Sequence, residues 1–286
     1  MSDTTETPLS GIVDPLKAEQ QFNLIRYKRA FARRNFIKNV GLAGAGIAAG
    51  AVIQGCSDNS TSMNPKAQTI PETDVLNFAL NLEYLEGEFY SVAVTGNTLS
   101  SSVTGGTSTA TGGAKVAFTD TRIADIAAEI LNAEMLHVKF LRSALGGVAI
   151  AEPAINLNAL GIGFGSQAEF LTLSRVFEDT GVSAYAGAAT LLTGNNLQAA
   201  AQILATEAYH AGNIRLNVVQ QAITVKATDS LDVPPDETHF FPVDANGLAI
   251  KRTPSQVLAI VYANAAAGTV SGGFFPNGLN GNIKTV

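Results

Sequence analysis

The sequence predicts an all-α protein: a four-helix bundle with one long crossover, followed by a short fifth helix and an irregular C-terminal extension. The first observation is an internal repeat. Residues 127–142 and 200–215 share Ala-Ala, Ile-Leu, Glu, His and Arg at a constant offset of 73 positions (207 − 134, 210 − 137, 215 − 142). Neither stretch has Gly or Pro before its histidine, and both are rich in helix-forming residues. The second observation is that a lone glutamate precedes each copy, so the same helix pair occurs twice.

Each copy of the repeat carries a Glu-x-x-His motif, Glu134 with His137 and Glu207 with His210. Residues three apart lie on the same face of a helix, so each copy can present a carboxylate and an imidazole to one point. The chain has only three histidines, and two of them stand in this motif. The alternative interpretation is two surface Glu/His neighbours on amphipathic helices.

The preceding glutamates are Glu83, in LNLEYLEGEFY, and Glu178, in VFEDTGVSAY. A tyrosine follows each of them seven residues later, Tyr90 and Tyr185, which is two helical turns along the same face. Glu86 lies one turn after Glu83. It is either an extra ligand or a solvated charge on the flank of the helix, and the sequence favours the solvated charge.

This order of residues resembles the ferritin-like superfamily of dinuclear carboxylate proteins, in which two bundle helices give one Glu each and two give Glu-x-x-His. The segments NFALNLEYLEGEFY, FEDTGVSAYAG and GGFFPNG are similar, more narrowly, to exported bacterial ferritin-like proteins related to plant desiccation-associated proteins. The resemblance covers roughly residues 70–280. The metal ligands that it implies are Glu83, Glu134, His137, Glu178, Glu207 and His210. It also places Tyr90 and Tyr185 near the site as catalytic hydrogen-bond partners or radical relays; the alternative is core residues with one polar end.

The implied cofactor is a pair of Fe or Mn ions. Carboxylate and imidazole ligands suit these metals and argue against copper(I) or structural zinc, for which thiolates are expected. The resemblance implies oxidation of ferrous iron by dioxygen or peroxide, or manganese-dependent disproportionation of peroxide, with small oxygen species as partners. The competing hypothesis is a non-catalytic envelope protein for metal sequestration or for protection during desiccation and other stress. Ligands define binding and not turnover, so the sequence leaves enzymatic activity open.

The composition limits the kinds of partner that the protein is expected to bind. The chain has 286 residues, 46% of them hydrophobic, which is enough for a sizeable core. Charged residues make up only 15% and the net charge is −6, so nucleic acid is not expected as a partner. The oligomeric state is left open, and a homo-oligomer is compatible with the sequence.

The beginning of the chain resembles a twin-arginine export signal. The segment ARRNFIK (residues 32–38) is followed by a Gly/Ala-rich apolar run and then by Cys56, the only cysteine. This position resembles a lipobox, so we expect lipidation of Cys56, anchoring to a membrane and a place in the periplasm or cell envelope. The alternatives are ordinary cleavage after Ala49 or Ala51 and an accidental arginine pair before a buried helix. The predicted parts of the chain are an export signal (1–56), a flexible tether (57–69), the bundle (70–225) and the extension (226–286).

Helical periodicity and end signals predict the four bundle helices. The expected ranges are about 71–96, 120–145, 166–192 and 195–224. Pro71 suits a first helical turn, whereas Gly96 and Gly146 end the first two helices. Ser166 and Glu169 have the spacing of a capping box that opens the third.

Two further segments surround these helices. The Thr/Ser/Gly-rich insertion 95–118 has no helical period and is expected to be a surface loop over one end of the bundle, with a short β-hairpin as an option. In the extension, Thr253-Pro254-Ser255-Gln256 combines an N-cap, Pro at the first position and Gln at the third, which predicts a helix over 254–266. His239 is expected to be structural or at the surface, and Phe274 and Phe275 to pack on the bundle.

Overall fold

The computed structural model describes residues 70–286. The helices are α1 (Glu72–Thr95), α2 (Ser101–Thr104), α3 (Thr121–Leu145), α4 (Gln167–Ala188), α5 (Gly194–Gln220) and α6 (Pro254–Val261), with a single 3-10 turn at Gly146–Val148. The two strands, β1 (Ala110–Thr111) and β2 (Ile155–Asn156), have two residues each. The all-α prediction is therefore confirmed. The N-terminal predictions, including the export signal and Cys56, lie outside the described residues.

Four long helices form the bundle. Helix α1 packs mainly along α3, and α4 packs along α5, so each predicted helix pair is a neighbouring pair in space. Every residue of α1 from Val75 to Ala93 is buried. Its sequence favours this position, because apolar side chains occur on most sides of the helix and Lys and Arg are absent. Glu86 is only 4% exposed, so its expected place as a solvated charge is wrong.

The insertion forms no hairpin. Instead β1, within the insertion, pairs in parallel with β2 in the crossover, with Ala110 opposite Ile155. Parallel strands need a long connection, which α3 provides here. The hydroxyl of Ser108 donates to Glu88 Oε1 of α1 at 2.6 Å. The insertion is thus fixed to both the bundle and the crossover.

End signals act locally as expected, with two differences. The Ser166 hydroxyl accepts from the Glu169 amide at 3.2 Å, but the Glu169 carboxylate accepts from the amides of Gly163 and Gly165 rather than from Ser166. Helix α6 has the full capping box at Thr253 but ends at Val261, before the expected residue 266. The cause is local, since Ala263 and Asn264 adopt left-handed backbone angles, with φ of 61° and 62°.

The extension packs on α4 and α5. Phe274 and Phe275 are 1% and 0% exposed, and the ring of Phe274 meets that of Phe177 edge-on at 5.0 Å between centroids. His239 is exposed and contacts Asp236. Across residues 70–286, no helix combines the length and the apolar character needed to cross a membrane.

Candidate metal centre

Four helices bring the predicted ligands to one place inside the bundle. Helix α1 supplies Glu83, α3 supplies Glu134 and His137, α4 supplies Glu178, and α5 supplies Glu207 and His210. All four glutamates are 0% exposed, and each histidine side chain is 11% exposed. Helical spacing explains the local arrangement, because positions three apart put carboxylate and imidazole on the same inward face.

The donor atoms form two overlapping groups. The members of the first are Glu83, Glu134, His137 and Glu207, and those of the second are Glu134, Glu178, Glu207 and His210. Within each group one donor atom per residue lies within 4.8 Å of all the others. Glu134 and Glu207 belong to both groups. The arrangement therefore has two neighbouring four-donor positions with two shared carboxylates.

The imidazole of His137 shows why these contacts are not ordinary hydrogen bonds. Its Nδ1 lies 3.1 Å from Glu83 Oε2 and 3.1 Å from Glu134 Oε2. The same atom is 3.4 Å from Glu207 Oε1. One ring nitrogen carries at most one hydrogen, so it cannot serve three carboxylates at once. Such convergence of acceptors and a ring nitrogen is typical of a cation site.

The imidazole of His210 also lies close to more than one carboxylate. His210 Nδ1 is 3.0 Å from Glu134 Oε1 and 3.3 Å from Glu178 Oε2. None of these three atoms has a hydrogen-bond partner, because they are close but not aligned for donation. Both oxygens of Glu207 also lack a partner among the described residues. Buried polar atoms are nearly always paired in proteins, so these unpartnered donors fit a metal pair as the missing partner.

Burial and mutual repulsion set the protonation of the metal-free cluster. Burial, followed by the neighbouring carboxylates, raises the pKa of Glu207 well above its usual range. Burial likewise raises the pKa of Glu83 to about 7, although His137 opposes this. For His210, burial would lower the pKa, but the carboxylates of Glu134 and Glu178 raise it to about 11. The metal-free centre thus offsets its negative charge with protons.

The two tyrosines bind the ligands crosswise between the helix pairs. Tyr90 of α1 donates its hydroxyl to Glu178 Oε1 of α4, and Tyr185 of α4 donates to Glu83 Oε1 of α1 at 2.5 Å. Burial, together with the carboxylate that each one contacts, raises the pKa of both tyrosines well above the usual value. Both therefore remain hydroxyl donors that orient the glutamates.

Sequence reasoning missed the role of Gly181 in α4 and the burial of Glu86. A Cβ at position 181 would overlap Glu207 Oε2 and would stand 3.2 Å from Glu86 Oε1. Glycine thus makes room for two carboxylates. The absence of Lys and Arg from α1 was the available signal, but Glu72 of the same helix is not buried, so this signal alone does not identify Glu86.

One groove leads from the surface to this centre. It lies between α3 and α5, has a volume of about 350 Å³ and reaches His210. Ile126, Leu136 and Tyr209 give it an apolar side, and Glu129, Thr206 and Asn213 are polar. The four glutamates are fully buried and do not line the groove, so His210 is the donor residue of the centre that the groove touches.

The comparisons with known proteins agree with this geometry. A ferritin-like domain matches residues 71–220, which is 150 of the 286 residues (220 − 71 + 1) and includes all six donors. A comparison with curated proteins gives no match. The domain match covers more than half of the chain, and the helical bundle and the buried Glu/His cluster agree with it. The chain therefore belongs to the ferritin-like domain family.

Proposed function

We propose that this domain binds two iron or manganese ions and that it acts on small oxygen species, either oxidising ferrous iron or removing peroxide. The observation that carries the proposal is the pair of overlapping donor groups sharing Glu134 and Glu207. The six proposed metal ligands are Glu83, Glu134, His137, Glu178, Glu207 and His210.

The chemistry of the donors supports iron or manganese. Carboxylate oxygens and imidazole nitrogens suit these ions, and no thiolate is available in the bundle because the only cysteine is Cys56. Two divalent ions carry four positive charges, which balance four glutamates. A dry cluster of that size without cations would be costly, since unpaired buried charges destabilise a fold strongly.

When bound to the protein, such a pair of ions would exchange two electrons with an oxygen species. The protein residues around the ion pair would orient the ligands and limit access to them. Tyr90 and Tyr185 orient Glu178 and Glu83 by hydrogen bonds, and the four glutamates are 0% exposed to water. The groove at His210 is where a small reactant would approach the centre, because the four glutamates are fully buried. These features favour an oxygen species or a metal ion as substrate.

The test is elemental analysis by mass spectrometry together with a peroxide-consumption assay and a ferrous-oxidation assay on the same purified protein. We expect about two Fe or Mn per chain and activity in one of the assays. Glu134→Ala should remove most of the metal, whereas Glu129→Ala, an exposed glutamate of the same helix, should not. Fewer than one metal per chain, unchanged by Glu134→Ala, would refute the proposal. Two metals without activity would instead support the sequestration or protective role.

We also propose that the protein is exported through a twin-arginine signal and anchored by lipidation of Cys56. Support comes from the segment at residues 32–38 and from the position of the only cysteine. Twin-arginine export carries folded proteins, so the bundle could bind its metal before it crosses the membrane. Cell fractionation of wild type and Cys56→Ala tests this: the wild type should be in the membrane fraction and the variant should not.

A further inference from the structure

Glu86 is a buried carboxylate that the six-ligand site leaves unused. It stands one turn after Glu83 on α1 and is 4% exposed. It is not a member of either four-donor group. A buried carboxylate of this kind normally has a cationic or hydrogen-bonding partner.

The surroundings of Glu86 offer it no such partner within the described part of the chain. Burial raises its pKa well above the usual range, and Glu207, Glu134, Glu83 and Glu178 raise it further. No basic side chain is among the main causes, no ion pair involves Glu86 within residues 70–286, and α1 itself contains no Lys or Arg. Five buried glutamates face only the two imidazoles of the site, and neither imidazole forms an ion pair with Glu86, so the arrangement is unfavourable as a purely structural device.

A second, independent observation concerns Glu207. This residue is fully buried and both of its oxygens lack a partner. Its Oε2 and the Oε1 of Glu86 both pack against the bare backbone of Gly181. Glu207 is also shared by the two donor groups. Glu86 is thus next to one of the two carboxylates that both donor groups share.

We propose that Glu86 is a seventh metal-binding carboxylate of the centre, which binds the ion pair from the side of Glu207. This inference rests on the proposed function, because it requires ions at the six-ligand site. A glutamate has three side-chain torsions, so its carboxylate can turn toward the ions while α1 stays in place. Glu86 also lines a small cavity together with Leu82, Thr180 and Gly181, so its side chain is not tightly packed on every side.

The experiment is a cobalt(II) titration of the full chain, wild type and Glu86→Gln, followed by visible absorption and by calorimetry. Cobalt(II) is chosen because its visible bands report coordination number and geometry and do not depend on turnover. We expect the wild type to bind two ions. In Glu86→Gln at least one ion should bind about 10-fold more weakly or worse, with a changed visible spectrum. Glu237→Gln, which removes an exposed carboxylate from the C-terminal extension, should match the wild type.

The outcomes separate the two proposals. If the wild type binds two cobalt ions and Glu86→Gln gives the same affinities and spectrum, Glu86 is not a ligand and the six-ligand proposal stands. If the wild type binds no cobalt, manganese or ferrous ion, the proposed function fails and this inference fails with it. Thermal unfolding of the metal-free proteins checks folding. The glutamine variant should be at least as stable as the wild type, because it removes a buried acid from an acidic cluster.

Discussion

The hydroxyl of Tyr185 donates a 2.5 Å hydrogen bond to Oε1 of Glu83, a residue 102 positions earlier in the chain. Its counterpart, Tyr90, donates to Glu178 in the opposite direction between the same two helices. Each tyrosine therefore orients a carboxylate that belongs to the other helix pair. These two contacts connect the halves of the bundle at the candidate site, and they are open to direct test.

Tyr185→Phe should weaken metal binding by about 10-fold, because Glu83 loses the donor that orients it. The ring and its packing are kept, so the effect reports on the hydroxyl alone. Titration with manganese or cobalt, followed by calorimetry, measures it. Tyr209→Phe is the matched control, since Tyr209 is 76% exposed. Equal affinities for the two variants would show that the hydroxyl has no role in holding the site.

Gly181→Ala should reduce metal affinity by about 10-fold or more, because the added methyl group would displace the Glu207 carboxylate. The control is Gly212→Ala on α5, where a Cβ would meet nothing within 4 Å. That control should bind metal normally and should stabilise the fold by about 0.5–1 kcal/mol, the usual gain from Ala over Gly in a helix. Metal titration and thermal unfolding of both variants measure these effects. Normal metal binding by Gly181→Ala would mean that Glu207 has more freedom than its contacts indicate.

Metal affinity should rise with pH from about pH 6 to about pH 8, because ions compete with protons for the ligands. The pKa of His210 is raised to about 11 and that of Glu83 to about 7 in the metal-free protein, so both hold protons over part or all of this range. Binding at neutral pH should therefore release protons. Calorimetry in two buffers of different ionisation enthalpy counts them. An observed heat that is the same in both buffers would contradict the protonated cluster.

A pH dependence of stability is expected at Glu152, away from the site. Burial, followed by repulsion from Glu88, raises the pKa of Glu152 to about 8, above its value in an unfolded chain. An acid whose pKa is higher in the folded than in the unfolded state makes its full contribution to stability below its unfolded pKa, here about 4.5. That contribution is lost as the pH rises through the folded pKa of about 8. The free energy of unfolding should fall across this window by roughly 2 kcal/mol more in the wild type than in Glu152→Gln. Denaturant unfolding of metal-free samples at several pH values measures the difference; parallel curves would exclude it.

The six-donor constellation was predictable because its information is local. Glu134 with His137, and Glu207 with His210, share helix faces by their spacing alone, and the repeat supplied the pairing of the two halves. Glu83 and Glu178 were added as ligands by the resemblance to the ferritin-like pattern, in which one Glu comes from each of the other two helices. The bundle brings these donors together as described above.

The parts that sequence reasoning missed depend on contacts between distant segments. Helical spacing put Glu86 on the same face as Glu83, but its burial depends on Gly181, almost a hundred residues later, which leaves space for it. The pairing of Ala110 with Ile155 joins two loops on either side of α3, and two residues per strand leave no periodic signal.

The division of ligands between the helix pairs has a consequence for how the site fills and for its origin. Each group takes three donors from one hairpin of long helices and borrows the fourth from the other, so no hairpin holds a complete site. An ion in one position orients a carboxylate that also belongs to the second position. Binding of the two ions should therefore be cooperative, and few molecules should hold only one ion. A hairpin of this kind that met a copy of itself would have all six donors. Joining two such copies into one chain is the simplest origin of the repeat, and the dividing line between ancestral subunits would pass between the two ions.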